Sequence, residues 1–378
     1  MGEISEQGVS RRGFLKAGAV GPASAAAVLA TPSVLRAQSP IVVKMQTSWP
    51  STDFGMDAAK AYADCIRAMS GGRLAIELTP AGAIVGAFQV LDAVHDGVLD
   101  AAHTVPAYWY GKHKGASLFG TGPVFGGSAT VMLAWIHQGG GMELYRELTQ
   151  DILGLNTYGF FAFPMPAQPL GWFKEPVTTV ADIKGLKYRT VGLAADLMQK
   201  MGMNVVQLPG GEIASAMERG VIDAFEFNNP SSDMSFGAQD TAKNYFLSSY
   251  HQASELYEIV FNKDFFDGLE EDLQAILRYG VDAVSTINTA MALNTYSTSL
   301  QKLKDEHGVR LHRTSKELLD AQLRAWDALI PELERDDFIQ RCMDSQRAWV
   351  ERVVFYELMN APDYAFAYDH YFPGKLKL

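Results

Sequence analysis

The chain has 378 residues, 48% hydrophobic and 20% charged, the profile of an ordinary folded protein with room for about two domains. Its formal net charge of -11 argues against nucleic acid as a partner, because phosphate recognition needs a basic patch. A small anionic ligand stays open, since one or two local cations suffice for it.

The first 37 residues are read as an export signal. Arg11 and Arg12, followed by Phe14, Leu15 and Lys16, precede a weakly apolar stretch rich in Ala and Gly that closes on small residues at Ala37. This is the twin-arginine pattern, and it predicts a periplasmic protein. Pro22 interrupts the stretch, which is too weak to be the run of about 20 apolar residues that a membrane span requires. Two cysteines follow, Cys65 and Cys342. Cys65 falls on the apolar stripe of a helical pattern and is expected to be a buried free thiol. No Cys/His cluster is present to suggest a zinc or redox site.

Strand 41–50, rich in β-branched residues and stopped by Pro50, opens the fold, and an amphipathic helix follows with Ala59, Ala63 and Ile66 on one face. A strand from Leu74, a helix ending at "HDG" and a strand ending in "AYWY" complete a first α/β unit. A second unit begins near residue 155 with the strand "LNTYGFFAFPM", and continues through a capped turn, the strand "LKYRTV" and a helix. It then repeats a module of the first: "ERGVIDAFEFNNP" (218–230) has the frame of "HDGVLDAAHTVPA" (95–107). The remainder is helical, with a start at Ser315 and Glu317 and an interruption expected at Pro331. The expected divisions are a signal over 1–37, a first lobe over 38–155 with part of the C-terminal region, a second lobe over 156–255, and a helical segment over 256–378. Two α/β units in one chain suggest a bilobal fold with a cleft between lobes. The long helices would either brace those lobes or pair with a second copy.

Enzyme signatures are missing. The sequence has no G-x-S-x-G elbow, no H-E-x-x-H and no glycine-rich phosphate loop, so no catalytic residue is assigned. Binding chemistry is better supplied. Glu226 sits between Phe225 and Phe227 in a short strand, where a buried carboxylate needs a partner and an edge position would leave it in water. Asn228, Asn229 and Pro230 bend the chain at once and would bring backbone carbonyls near the acid. Carboxylate, carbonyl and amide oxygens suit hard cations such as sodium or calcium. Arg189 in "GLKYRTVG" could grip a carboxylate in two parallel hydrogen bonds, or be a surface arginine. Gln168 offers an amide oxygen. Tyr108 and Trp109 offer flat faces and donors at a strand end, or simply core packing.

With these residues in view the chain resembles the DctP-like extracytoplasmic solute receptors of tripartite ATP-independent periplasmic (TRAP) transporters. The stretches that carry the likeness are "AGAIVGAFQVLDAVHDGVLDAAHT", "GLKYRTVG" and "PGGEIASAMERGVIDAFEFNNP". The resemblance implies a bilobal periplasmic-binding-protein fold, with mixed sheets, hinge strands and long C-terminal helices. It implies no organic cofactor, a membrane permease as partner, and a role for Arg189 on a substrate carboxylate. Through "YWYGK", "GGGMELY", "GWF" and the 226–227 pair it is most similar to the branch that binds 2-oxo acids or lactate with a metal ion. By that likeness Gln168, the Glu226 side chain and the Phe227 carbonyl hold sodium or calcium. Arg189, Gln168, Glu226, Asn229, Tyr108 and Trp109 then surround the ligand. Phe227 stands where the branch commonly has tryptophan, a change that a carbonyl ligand tolerates. The branch also pairs through a long C-terminal helix, which implies a homodimer. Two rival readings are a metal-free receptor in which Arg189 and Asn229 hold a dicarboxylate or sugar acid, and an exported enzyme acting on small organic acids.

Overall fold

The computed structural model describes residues 39–376; the predicted signal over 1–37 lies outside the described residues. In chain order the strands are β1 (Ile41–Thr47), β2 (Leu74–Thr79), β3 (Ala101–Thr104), β4 (Thr157–Met165), β5 (Gly171–Phe173), β6 (Lys187–Arg189), β7 (Asn204–Val206), β8 (Ala224–Phe225), β9 (Asn244–Leu247), β10 (Glu255–Asn262) and β11 (Arg310–Arg313). They form two sheets, ordered β2-β1-β3-β10-β4 and β11-β9-β5-β8-β6-β7. In the first, β1 runs parallel to β2 and β3, while β10 is antiparallel to β3 and β4. In the second, β6 runs parallel to β7 and β8, and β5 is antiparallel to β8 and β9. Mixed sheets covered by helices are what the alternating strand and helix patterns predict.

Local sequence explains the elements that frame the site. Asp53 caps the helix Phe54–Met69 by accepting from Gly55 N at 2.6 Å, and Ala59, Tyr62 and Ile66 turn inward from that helix. Thr179 and Asp182 make a reciprocal capping box, the turn expected between β5 and β6. Ser315 caps the helix Lys316–Leu333 as its sequence predicts.

Several expectations change. The strand β4, expected to open the second lobe, belongs to the first sheet, because β10 returns from the second lobe and pairs with it along its length. Pro331 does not interrupt its helix, which runs on past it to Leu333. Cys65 is half-exposed beside Met69, and Cys342 is the buried thiol; both are free. The 35-residue helix Glu271–Asp305 follows β10 and leads to β11, so it braces the two sheets within one chain.

The chain passes between the sheets at three places: residues 166–170 between β4 and β5, residues 248–254 between β9 and β10, and the long helix. The lobes also touch through side chains. Lys114 Nζ and Tyr110 Oη, both from the first lobe, reach Asp196 of the second at 2.8 and 2.9 Å.

Candidate functional site

The strand β8 is two residues long and lies inside the second sheet, between β5 and β6. The ladder stops at Phe225, so Glu226 leaves the end of a central strand rather than sitting at a wet edge, and it is fully buried. Close approach allows this. Gly171 has φ +111°, and a Cβ there would stand 2.0 Å from the carbonyl oxygen of Phe225. Only glycine lets β5 lie against the turn that carries the acid.

Arg189 ends β6, the neighbouring strand, and is also buried. Its Nη1 donates to Glu226 Oε1 at 3.0 Å and to the Glu226 carbonyl at 2.8 Å, and its Nε donates to the Leu208 carbonyl at 2.8 Å. The Phe227 ring lies 5.5 Å from the guanidinium. One nitrogen, Nη2, is buried with no hydrogen-bond partner. An orphaned buried donor on a cation is costly, and an anionic acceptor is the group that satisfies it.

On the other side of Glu226 the oxygens gather. The Gln168 side-chain amide lies 2.9 Å from Glu226 Oε2 and 3.2 Å from the Phe227 carbonyl oxygen, and its nitrogen, turned inward, donates to them. The Gln252 amide likewise lies 3.0 Å from Glu226 Oε2. With its oxygen turned inward instead, the Gln168 amide would join Glu226 and the Phe227 carbonyl around a positive charge. The donor set is all oxygen, which fits a hard cation. No cluster of three His, Cys, Asp or Glu side chains exists among the described residues. Amide and main-chain oxygens make up the rest of this donor set.

Burial pushes the Glu226 carboxyl up to about 7, against the lowering effect of Arg189. Here desolvation exceeds the pull of one guanidinium, although the two groups touch. Burial likewise raises Asp233 to about 7 and Glu255 to about 8.

The remaining predicted residues divide. Tyr108 comes from the first lobe, edge-on to Phe88 at 4.7 Å, and Arg189 opposes the burial that raises its phenol, so it lies within electrostatic reach of the site. It lines a cleft of about 450 Å³ between Phe88 and Ala107 of one lobe and Val191 and Gln207 of the other. Trp109 has another task. Its indole donates to Glu258 Oε2 at 3.0 Å within the core of the first lobe. The Asn229 side chain is also committed: its Oδ1 accepts from Ser231 N and Ser232 N, and its Nδ2 donates to Ser232 Oγ, capping the helix Pro230–Ser235.

Gln252 was missed by sequence reasoning. It lies on an irregular crossover with no periodicity to mark it.

Two α/β lobes joined by crossovers, with a buried guanidinium and carboxylate at the lobe junction, define the class of two-lobed solute receptors. The chain belongs to the bacterial extracellular solute-binding protein family 7, DctP, whose profile matches residues 45–336. It is 31% identical over 363 residues to a monocarboxylate 2-oxoacid-binding periplasmic protein of Nostoc sp., covering 94% of this chain and 98% of that one. A TRAP transporter solute binding protein from Bordetella bronchiseptica superposes with a TM-score of 0.81 and 25% identity, covering 89% of this chain and 98% of that one. That protein is a mixed occupancy dimer with calcium and picolinate in one site and an apo second site. A TRAP periplasmic solute binding protein from Pseudoalteromonas atlantica, with bound sodium and pyruvate, gives a TM-score of 0.78 at 28% identity, covering 89% and 99%.

Proposed function

We propose that the chain is the periplasmic receptor of a TRAP transporter and captures a small 2-oxo monocarboxylate such as pyruvate, or a 2-hydroxy acid such as lactate, together with sodium or calcium. The observation that carries this reading is Arg189 Nη2, a buried guanidinium nitrogen with no acceptor, beside a buried carboxylate whose second oxygen faces the Gln168 amide, which also meets the Phe227 carbonyl. A 2-oxo acid with a cation suits this setting. Its carboxylate takes the guanidinium, and its keto and carboxylate oxygens chelate the ion. Picolinate in the Bordetella relative has a ring nitrogen beside its carboxylate and offers the same chelating geometry.

In this reading Gln168, Glu226 and the Phe227 carbonyl hold the cation, Arg189 orients the ligand carboxylate, and Tyr108 closes the site from the first lobe. The cation supplies the positive charge that lets an ionised Glu226 and an anionic ligand share one water-poor site. In this reading, as for the solute-binding family to which the chain belongs, the protein binds its ligand and does not turn it over. Export by the twin-arginine route is the reading of residues 11–16. A homodimer is supported by the end of the chain. The last turns of Asp337–Asn360 and the helix Tyr364–Tyr371 leave Phe355, Leu358, Met359, Tyr364 and Phe366 exposed.

Titration calorimetry with pyruvate tests the reading, run in sodium-free buffer after chelator treatment and again with each cation restored. Binding should vanish without cation and return with it. Unchanged affinity without any cation would overturn the cation's role and favour a directly held acid.

A further inference from the structure

We infer that each lobe has a buried carboxylate, Glu258 in the first and Asp233 in the second, that touches neither solute nor cation and instead positions that lobe's half of the site. This rests on the function proposed above and adds two positioning residues to it.

The two acids are held alike. Glu258 lies in the middle of β10, inside the first sheet between β3 and β4, and is fully buried. Its Oε2 accepts from Trp109 Nε1 at 3.0 Å, and its Oε1 accepts from the Tyr145 hydroxyl. Gly159 makes the room, since a Cβ there would stand 2.2 Å from Glu258 Oε1. Asp233, on the helix Pro230–Ser235, is buried as deeply. Its Oδ2 accepts from Trp172 Nε1 at 2.9 Å and from the Tyr245 hydroxyl at 3.0 Å. One indole and one phenol thus meet a carboxylate in each lobe.

Packing alone does not call for these acids. Burial raises both carboxyls to about 7, and the groups that act against it are neutral hydrogen-bond donors. A carboxylate buried without a counter-cation is costly. What it supplies is a strong, directional hold on those donors.

Each hold ends at the site. Trp109 is the last residue of the short turn Pro106–Trp109, which has no side-chain cap. Tyr108, the residue before it, lines the cleft with Val191 and Gln207 of the other lobe. The indole bond to Glu258 therefore anchors the phenol that closes on the solute. In the second lobe, Asp233 Oδ1 accepts from Asn228 N at 3.3 Å. That N–H belongs to the same peptide unit as the Phe227 carbonyl, and in a planar trans peptide the two point in opposite directions. Holding the N–H fixes the direction of the carbonyl that takes the cation. Glu258 thus governs the solute contact, and Asp233 the cation contact. Support of this kind keeps contacting groups in their working geometry.

The test measures two affinities of the mature receptor by calorimetry: sodium or calcium alone, then pyruvate at saturating cation. W109F keeps a ring and removes the N–H that Glu258 holds. It should weaken pyruvate about tenfold and leave cation affinity within about twofold. E258L should do the same. E258Q should recover most of that loss, because its amide oxygen accepts from Trp109 while its nitrogen donates to Tyr145. D233N has a single oxygen for the donors of Trp172, Tyr245 and Asn228, and so releases the Asn228 N–H. It should weaken the cation about tenfold and leave pyruvate at saturating cation within about twofold. If D233N does not fold, D233E moves the carboxylate by one methylene and reads the same contact. Folded variants that match the wild type in both affinities, or lose both together, would overturn the inference and leave the proposed function standing. Wild-type pyruvate binding that ignores the cation would overturn the proposed function and the Asp233 half with it, and W109F would then decide the Glu258 half alone.

Discussion

The two lobes carry the same short module and use it for opposite purposes. In the first, Gly97 leads through Asp100 into β3; in the second, Gly220 leads through Asp223 into β8. Both glycines have positive φ, +72° and +68°. Asp100 exchanges hydrogen bonds with the backbone of Lys44, and Asp223 does the same with Lys187. The match continues across the ladder, where Gln46 pairs with Ala102 and Arg189 with Phe225. At these equivalent positions the first lobe has neutral Gln46 and, one residue along the module, His103. The second has Arg189 and Glu226.

The neutral pair is fully used in structure. Gln46 binds the backbone of Ile84 and Val85, and His103 accepts from Trp49 Nε1 at 2.8 Å. The charged pair is left with an orphan nitrogen, Arg189 Nη2. The scaffold alone therefore does not require charge at this place. On the proposed function, a ligand completes the charge at this place.

The largest expected effect comes from making the second copy resemble the first. Arg189→Gln should abolish pyruvate binding, a loss of about 100-fold or more, because the charge-assisted contact from the free Nη2 is removed. It should also lower stability by about 3–5 kcal/mol, as the buried Glu226 loses its guanidinium. Calorimetry and thermal melting read these separately. A variant that binds normally would mean that Arg189 is only structural. Glu226→Gln comes next. It should erase the response to sodium and calcium, and residual pyruvate binding should no longer depend on either.

The two copies also differ in the sign of their pH dependence. Glu226 is raised from 4.5 to about 7, so in the cation-free protein the folded state holds that proton more tightly. Its contribution to stability is complete below pH 4.5 and is lost as pH rises through 7. His103 is lowered from 6.5 to about 3 by burial, so its contribution is complete above pH 6.5 and is lost as pH falls towards 3. Asp233 and Glu255 share the sign of Glu226, so the informative quantity is the difference between wild type and Glu226→Gln across pH 4 to 8. That difference should grow upward through pH 7. Cation affinity should run the other way, falling about tenfold per pH unit below 7 as the carboxyl takes its proton. A flat cation affinity across that range would remove Glu226 from the site.

The sequence made part of this visible. The repeated frame was legible because glycine, aspartate and the following apolar residues recur at fixed spacing. Arg189 and Glu226 stood out as charges in strands. Sheet membership was not legible for 157–165, since a hydrophobic strand pattern does not name its partner, and β10 arrives about ninety residues later. The commitment of Trp109 to Glu258 was hidden for the same reason. Gln252 had no local pattern to mark it. Asn229 was legible and overlooked: an asparagine followed by proline and two serines is a helix start.

That cap gives the smallest expected effect and the sharpest separation between readings. Where the first module ends, Val105 precedes Pro106 and makes no side-chain cap; where the second ends, Asn229 precedes Pro230 and caps its helix twice. If Asn229 serves only the helix, Asn229→Ala should cost about 1 kcal/mol of stability and leave pyruvate affinity within about twofold. If Asn229 instead holds a dicarboxylate or sugar acid directly, the same change should cost affinity about tenfold or more, with or without cation. The hydrogen bonds to Ser231 and Ser232 favour the first outcome, because they use both ends of the amide and leave a single N–H for anything else.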